Sequence, residues 1–259
     1  MDVNTYFAVI SFLLGLVLGS FMNVCIYRIP EKMSIVNPGS RCRTCSAAVR
    51  WYDNVPLLSY LILRGRCRQC REPIGFRYPL VEALAGLLSL ALFLRHGLSL
   101  AYIHLLLFSL SLVVISFIDL DHMIIPDVLS IPGIIIGIPA SLLVPYISPL
   151  DSLIGIIAGG GSFYLIACGY SLLRGKEGMG GGDIKLIAMI GAWIGWRALP
   201  IVVLLSALAG ALIGGIFLVA SGKGARTRIP FGPFLALGAM IYVFYGHDII
   251  LWYIRFLRG

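Results

Sequence analysis

One stretch of the chain reads LSLAYIHLLLFSLSLVVISFIDLDHMIIPD, from Leu98 to Asp127, and joins an apolar run directly to three aspartates. The apolar part, Leu98 to Ile118, has about the 20 residues that an α-helix needs to cross about 30 Å of hydrocarbon. Carboxylates at the edge of hydrocarbon are costly and are often functional. The stretch therefore predicts a membrane-spanning helix that ends in a group of chemically important side chains.

The rest of the chain has the composition of a membrane protein. Of its 259 residues 59% are hydrophobic and only 12% are charged, so a soluble domain could not hide all the apolar side chains. We predict an all-α polytopic membrane protein with about eight transmembrane helices. The predicted spans run from Tyr6 to Ile26, Tyr78 to Leu94, Leu98 to Ile118, Leu129 to Pro145, Leu153 to Leu173, Leu186 to Trp196, Pro200 to Ala220 and Phe231 to Tyr245.

The chain has a net charge of +8, and its basic residues are concentrated in particular loops. The connection from Tyr27 to Arg77 holds ten basic residues, two later connections hold three each, and the intervening connections hold only Arg95 and Arg197. Because Lys and Arg accumulate in cytoplasmic loops, this pattern places the amino terminus outside and the three basic connections inside. It also argues against nucleic acid as a partner, since the basic residues are not spread over a soluble surface among exposed aromatics.

The segment from Tyr27 to Arg77 is too polar to span a membrane and is rich in Arg, Cys and Pro. A domain of this size is smaller than a hydrophobic core alone usually stabilises, so a covalent or metal staple is expected. We predict three parts: a first transmembrane helix over residues 1–26, a cytoplasmic zinc-binding domain over 27–77, and a transmembrane domain over 78–259 that carries the aspartates.

Four cysteines of this segment form two C-x-x-C knuckles, Cys42 with Cys45 and Cys67 with Cys70. Each knuckle offers two thiolates from one tight turn, and two knuckles complete a tetrahedron around Zn²⁺. The alternatives are a pair of disulfides or four free thiols, and the charge pattern argues against disulfides because it places the loop in the reducing cytosol. We predict a structural zinc ion, since four thiolates leave no open coordination position for catalysis.

The aspartates occur in two groups that are far apart in sequence. Asp119, Asp121 and Asp127 follow the third predicted span, and Asp183 follows a glycine run where a helix must end and the backbone can take conformations closed to other residues. The topology returns both groups to one membrane face. Two carboxylates that share a proton cannot both ionise easily, so one can act as an acid while the other activates water. Solvated loop charges or helix caps are the alternative reading, and for Asp121 and Asp127 both readings stay open.

Five segments in this order resemble the type IV prepilin peptidases, bacterial membrane proteases with a Gly-x-Gly-Asp motif. The resemblance covers nearly the whole chain. The segments are Gly15 to Pro30, the two cysteine knuckles, Asp119 to Asp127, Gly180 to Lys185, and Pro230-Phe-Gly-Pro-Phe-Leu-Ala-Leu-Gly238.

The resemblance implies a bifunctional enzyme of the bacterial inner membrane. It would cleave the basic leader of prepilins or pseudopilins at the cytoplasmic face, as an aspartic endopeptidase, and then methylate the new amino terminus from S-adenosyl-L-methionine. The catalytic aspartates of the family fall on Asp119 and Asp183. No Gly-rich fingerprint marks a pocket for the methyl donor, so no residue is assigned to it. For the basic domain, an anionic lipid surface is a better expected neighbour than the equally basic leader.

Two readings from other classes compete with this one. A membrane transporter would also use intramembrane acids and broken, glycine-rich helices, although it would predict inverted repeats that the sequence lacks. A zinc-ribbon membrane adaptor without activity would explain the cysteines but would leave the aspartate pair without a role.

Overall fold

The computed structural model describes residues 3–176, 178–221 and 229–257, with the side chains of 217–221 excepted, and these residues form helices joined by loops. The described part holds no β-strand, only two isolated bridges, Arg41 with Ala48 and Arg66 with Pro73. The all-α prediction is therefore confirmed. The helices are α1 Val3–Arg28, α2 Leu58–Ile62, α3 Arg77–His96, α4 Leu100–His122, α5 Asp127–Ser141, α6 Pro149–Arg174, α7 Gly181–Ile194, α8 Leu199–Ser221 and α9 Gly232–Leu257.

Each of the eight predicted spans coincides with one of these helices. Among the described residues, six helices are long and apolar enough to cross a membrane, and the chain is a multi-pass membrane protein. The other two, α5 with 15 residues and α7 with 14, are shorter, because at 1.5 Å per residue they extend only about 22 Å. Helix α7 begins at Gly181, five residues before the predicted start at Leu186, and α9 continues to Leu257, well past the predicted end at Tyr245.

Two compact units divide the chain, residues 1–110 and 111–259. The three-part organisation expected from the sequence remains a prediction. In the first unit, α1 packs closely on α3 through Gly15 and Gly19. A Cβ atom at Gly15 would lie only 2.6 Å from the Cβ of Ser89, and one at Gly19 only 2.7 Å from the Cα of Glu82. The Gly-x-x-x-Gly spacing of these two residues is a known signal for close helix contact in membranes.

In the second unit, α7 is enclosed by α5 and α6. Its residues from Leu186 to Trp193 are all buried, which a helix surrounded by lipid would not show. Small residues make the contact close, since a Cβ at Gly155 of α6 would fall on the carbonyl oxygen of Gly191. The Trp193 indole N–H donates to the Gly133 carbonyl of α5 at 2.8 Å. Protein contacts on both sides thus replace the lipid contacts that a longer span would make.

Candidate active site

Two of the predicted site residues, Asp119 and Asp183, line the same cavity in the second unit. Asp119 lies in the last turn of α4 and is only 5% exposed, whereas Asp183 lies in the first turn of α7 and is partly exposed. The cavity has a volume of about 310 Å³, and the two carboxylates interact electrostatically across it. The other lining residues are Met123, Ile124, Ile125, Asp127, Gly180, Gly181, Gly182 and Lys185.

The carboxylate of Asp119 is held by the start of α9. The backbone N–H of Gly232 donates a hydrogen bond of 3.0 Å to Asp119 Oδ2. A Cβ atom at position 232 would lie 2.6 Å from that same oxygen, so only glycine allows this approach without a shift of the carboxylate. Gly232 lies in the segment Pro230 to Gly238 that resembles the family, but the sequence assigns it no role, and no spacing signal shows which helix end would reach Asp119.

The glycine run before Asp183 does not have the backbone role that was expected for it. Gly180 has φ −69° and is the N-cap of α7, which then begins at Gly181 with ordinary helical backbone. Among the described residues, the glycines with positive φ are elsewhere in the chain. Gly180, Gly181 and Gly182 therefore do not use the backbone freedom that glycine offers. What Gly182 provides is space, because a Cβ there would lie 2.9 Å from the Cβ of Ile125.

Asp121 and Asp127 differ in position. Asp121 is exposed, and the described lining of the cavity does not include it. Asp127 is the first residue of α5, whose N-cap is Pro126, and it accepts a hydrogen bond of 2.6 Å from Lys185 Nζ at the cavity edge. This pair joins the two segments that carry Asp119 and Asp183, and sequence reasoning did not identify Lys185. Both partners are substantially exposed, so the pair contributes at most about 1 kcal/mol to stability.

The four cysteines form a second cluster, in the first unit. Their sulfur atoms all lie within 4.8 Å of one another, and none is in a disulfide. The Sγ atoms of Cys42 and Cys70 are 3.7 Å apart, and those of Cys45 and Cys67 are 4.0 Å apart. Zn–S bonds of about 2.3 Å in a tetrahedron require S···S distances of about 3.8 Å. The donor set and its spacing therefore fit a zinc ion.

The two knuckles have the same backbone structure. In the first, the Cys42 N–H donates to the Ala47 carbonyl at 2.9 Å and the Ser46 N–H to the Cys42 carbonyl at 3.0 Å. In the second, Cys67 N–H and Arg71 N–H make the equivalent bonds at 2.9 and 3.0 Å. Ser46 and Arg71 both have positive φ, 56° and 62°, which closes each turn.

The knuckle turns also act on thiol ionisation. Hydrogen bonds from the backbone N–H groups of Cys45 and Thr44 lower the pKa of Cys42 to about 6. For Cys70, the N–H of Glu72 favours the thiolate, but desolvation and the neighbouring sulfur atoms outweigh it and raise the pKa to about 12. The neighbouring sulfur atoms raise the pKa of Cys70 because thiolates so close together repel each other without a cation between them. A divalent cation would relieve this repulsion.

The fold and the two sites define the class of protein. It is a membrane protein with paired carboxylates at one cavity and a separate cluster of four thiols. Residues 13–96 match the family model described as the bacterial peptidase A24 N-terminal domain, and residues 106–215 match the type IV leader peptidase family. No solved structure matches the chain at a significant level.

Curated relatives agree with the family models. The chain is 41% identical to a prepilin leader peptidase/N-methyltransferase of Aeromonas hydrophila, over 96% of the chain and 94% of the relative. The protein of the same name from Pseudomonas putida is 37% identical, over 94% of the chain and 92% of the relative. The protein of the same name from Myxococcus xanthus is 44% identical, over 86% of the chain and 67% of the relative. The chain therefore belongs to the type IV leader peptidase family, and the resemblance stated from the sequence is confirmed.

Proposed function

We propose that the chain removes the basic leader of prepilins or pseudopilins and then methylates the new amino terminus. The observation that carries the proposal is the placement of Asp119 and Asp183 at one cavity, in a chain whose relatives are named for these two activities. Membership in a peptidase family argues against the transporter and the inactive adaptor, because neither accounts for the paired carboxylates and the relatives together.

Asp119 and Asp183 are the proposed catalytic residues. When the pair holds one proton, the ionised carboxylate takes a proton from a water molecule. The oxygen of that water molecule attacks the scissile carbonyl carbon at the same time. The protonated carboxyl then donates its proton to the leaving amide nitrogen, and the C–N bond breaks. The Gly232 N–H fixes one oxygen of Asp119 throughout, so that the carboxylate is already oriented before the substrate arrives.

The cavity lies at helix ends, which suits a substrate with an apolar helix behind a charged leader. Asp119 is at the end of α4, and α7 and α9 begin beside it. The charge pattern assigns these three helix ends to the cytoplasmic face of the inner membrane. A prepilin helix would enter from the lipid while its leader stays in water, and extended backbone at the scissile bond is tolerated because the cavity shields it from lipid.

The tetrathiol cluster is proposed to hold a structural zinc ion through Cys42, Cys45, Cys67 and Cys70. Methyl transfer from S-adenosyl-L-methionine is proposed to depend on the domain that this ion staples, residues 27–77. That segment is the longest polar connection in the chain and offers the most room for a polar donor molecule. No residue is assigned to the donor.

The direct test mixes purified full-length protein, in detergent, with a prepilin and labelled S-adenosyl-L-methionine. Leader release followed by label on the shortened pilin is the expected result. A transporter or an adaptor would release no leader. A protein that releases the leader but transfers no label would retain the peptidase proposal and contradict the methyltransferase proposal.

Substitution of Gly232 tests the orientation of Asp119. The Cβ of Gly232→Ala would collide with Asp119 Oδ2, and displacement of a catalytic group by about 1 Å costs about 100-fold in rate. We expect leader cleavage to fall by about that factor in the initial-rate assay. The matched control is Gly181→Ala at the same cavity, where a Cβ meets nothing within 4 Å and most cleavage should remain. Equal rates for the two variants would show that the Gly232 contact does not orient the carboxylate.

Metal analysis tests the zinc site. Freshly reduced protein should contain one Zn²⁺ per chain by atomic emission, and the double variant Cys42→Ser, Cys45→Ser should contain none. Cys168→Ser is the control, because Cys168 is exposed in α6 and is not one of the clustered cysteines, so its zinc content should be unchanged. Zinc-free wild-type protein under these conditions would contradict the proposal. Loss of the metal should reduce methylation more than cleavage, since the ion serves only the loop domain.

A further inference from the structure

The short helix α2 presents an apolar face outward from the loop domain. Leu58, Leu61 and Ile62 are 57%, 70% and 74% exposed, and their i, i+3, i+4 spacing places them on one side of the helix. Ser59, at the flank of this face, is buried. Its hydroxyl donates to the Tyr52 carbonyl at 3.0 Å and accepts from the Val55 N–H at 3.0 Å. These two hydrogen bonds fix the helix, while Leu58, Leu61 and Ile62 remain uncovered.

The start of α2 is hydrogen-bonded to α3 at a residue that lies inside that helix, past its first turn. The N–H of Leu57, which precedes α2, donates to Glu82 Oε2 at 2.9 Å. Glu82 is buried and lies five residues inside α3, which begins at Arg77. At 1.5 Å per residue this is about 7.5 Å along the helix axis. Amphipathic helices at a membrane interface bury their apolar face by about 5–10 Å, a distance of the same order as this offset along α3.

A second contact holds the domain down on the same helix ends. The guanidinium of Arg43, in the first knuckle, lies 4.0 Å from the ring centre of Tyr27 at the end of α1. It also lies 5.7 Å from the ring centre of Tyr78 at the start of α3. Both α1 and α3 are long and apolar enough to cross the membrane. These contacts hold the first knuckle of the loop domain against the end of α1 and the start of α3.

The charges beside the apolar face determine which surface it fits. Arg64, Arg66 and Arg68 follow α2 directly and are all exposed. The whole connection from Tyr27 to Arg77 contains ten basic residues and only three acidic ones, Glu31, Asp53 and Glu72. Trp51, which is 82% exposed, is of the residue type enriched at the level of lipid headgroups. A basic substrate leader would be repelled by this surface, whereas anionic headgroups would be attracted to it.

We propose that α2 is an interfacial helix that seats the loop domain on an anionic bilayer. Leu58, Leu61 and Ile62 enter the boundary between headgroups and acyl chains. Arg64 and Arg66 bind the phosphate groups of anionic lipids at that boundary. None of these residues lines the aspartate cavity, and the proposal does not depend on the proposed peptidase activity.

Photo-crosslinking in liposomes tests the proposal. The full-length protein would carry p-benzoylphenylalanine at Leu61 or, as the control, at Glu72, which is also exposed but lies on the second knuckle. In vesicles containing phosphatidylglycerol, mass spectrometry should find several-fold more lipid adduct at position 61 than at position 72. The adduct at 61 should fall several-fold in pure phosphatidylcholine and in the double variant Arg64→Gln, Arg66→Gln. An unchanged far-UV circular dichroism spectrum would show that each variant is folded.

Three results would overturn the proposal. Equal lipid labelling at positions 61 and 72 would show that α2 does not enter the interface. Crosslinks from position 61 to an added prepilin, or to a second copy of the chain, in place of lipid would identify a protein as the occupant of the apolar face. Labelling that changes neither with the lipid charge nor with the arginine substitutions would show that Arg64 and Arg66 do not bind anionic headgroups.

Discussion

The hydrogen bond from the Gly232 amide to Asp119 ties together the helix ends on which the site depends. A carboxylate that is 5% exposed at the end of a membrane helix needs a donor, and a backbone N–H at the start of α9 supplies it. The donor can come this close only because residue 232 has no side chain. Gly182 has the equivalent role on the other side of the cavity, because the absence of a side chain lets the start of α7 approach Ile125. The cavity is therefore built by close backbone approach.

The burial of α7 follows from the same constraint. Asp183 must be carried to the cavity by a helix that is short, and such a helix is stable in a membrane only if protein surrounds it. Helices α5 and α6 enclose it, with glycine and alanine at the contacts: Gly155 faces Gly191, and Gly137 faces Ala192. The packing of α5 and α6 around α7 thus also places the carboxylate of Asp183 at the cavity.

Much of this arrangement could be predicted from the sequence. Hydropathy located eight of the nine α-helices in the described part of the chain, because each of the eight contains an apolar run, and the two aspartate groups stood out because charges are rare in such a chain. The cysteine spacing predicted a cluster that the structure contains. Gly232 and Lys185 were missed because their roles depend on which helix ends meet, and neither periodicity nor composition carries that information. The backbone freedom of the glycine run was apparent from the sequence, but the structure uses Gly182 for a different reason, namely that a side chain there would collide with Ile125.

The loop domain shows the same limit of sequence reasoning in another form. Its basic charge suggested anionic lipid as a neighbour, but the apolar face of α2 lies in a five-residue helix, too short for a periodicity signal. Only the bond from Leu57 to Glu82 gives that helix a depth relative to α3.

The account depends most on the claim that Asp119 and Asp183 act together as one acid–base pair. Its most direct test is the initial rate of leader release by Asp119→Asn and Asp183→Asn, with Asp121→Asn as the matched control from the same segment. We expect each of the first two to lose at least about 100-fold in rate, as for loss of a general acid or base, while the control retains most activity. Substantial cleavage by either of the first two variants, in protein that still inserts into the membrane, would contradict the account.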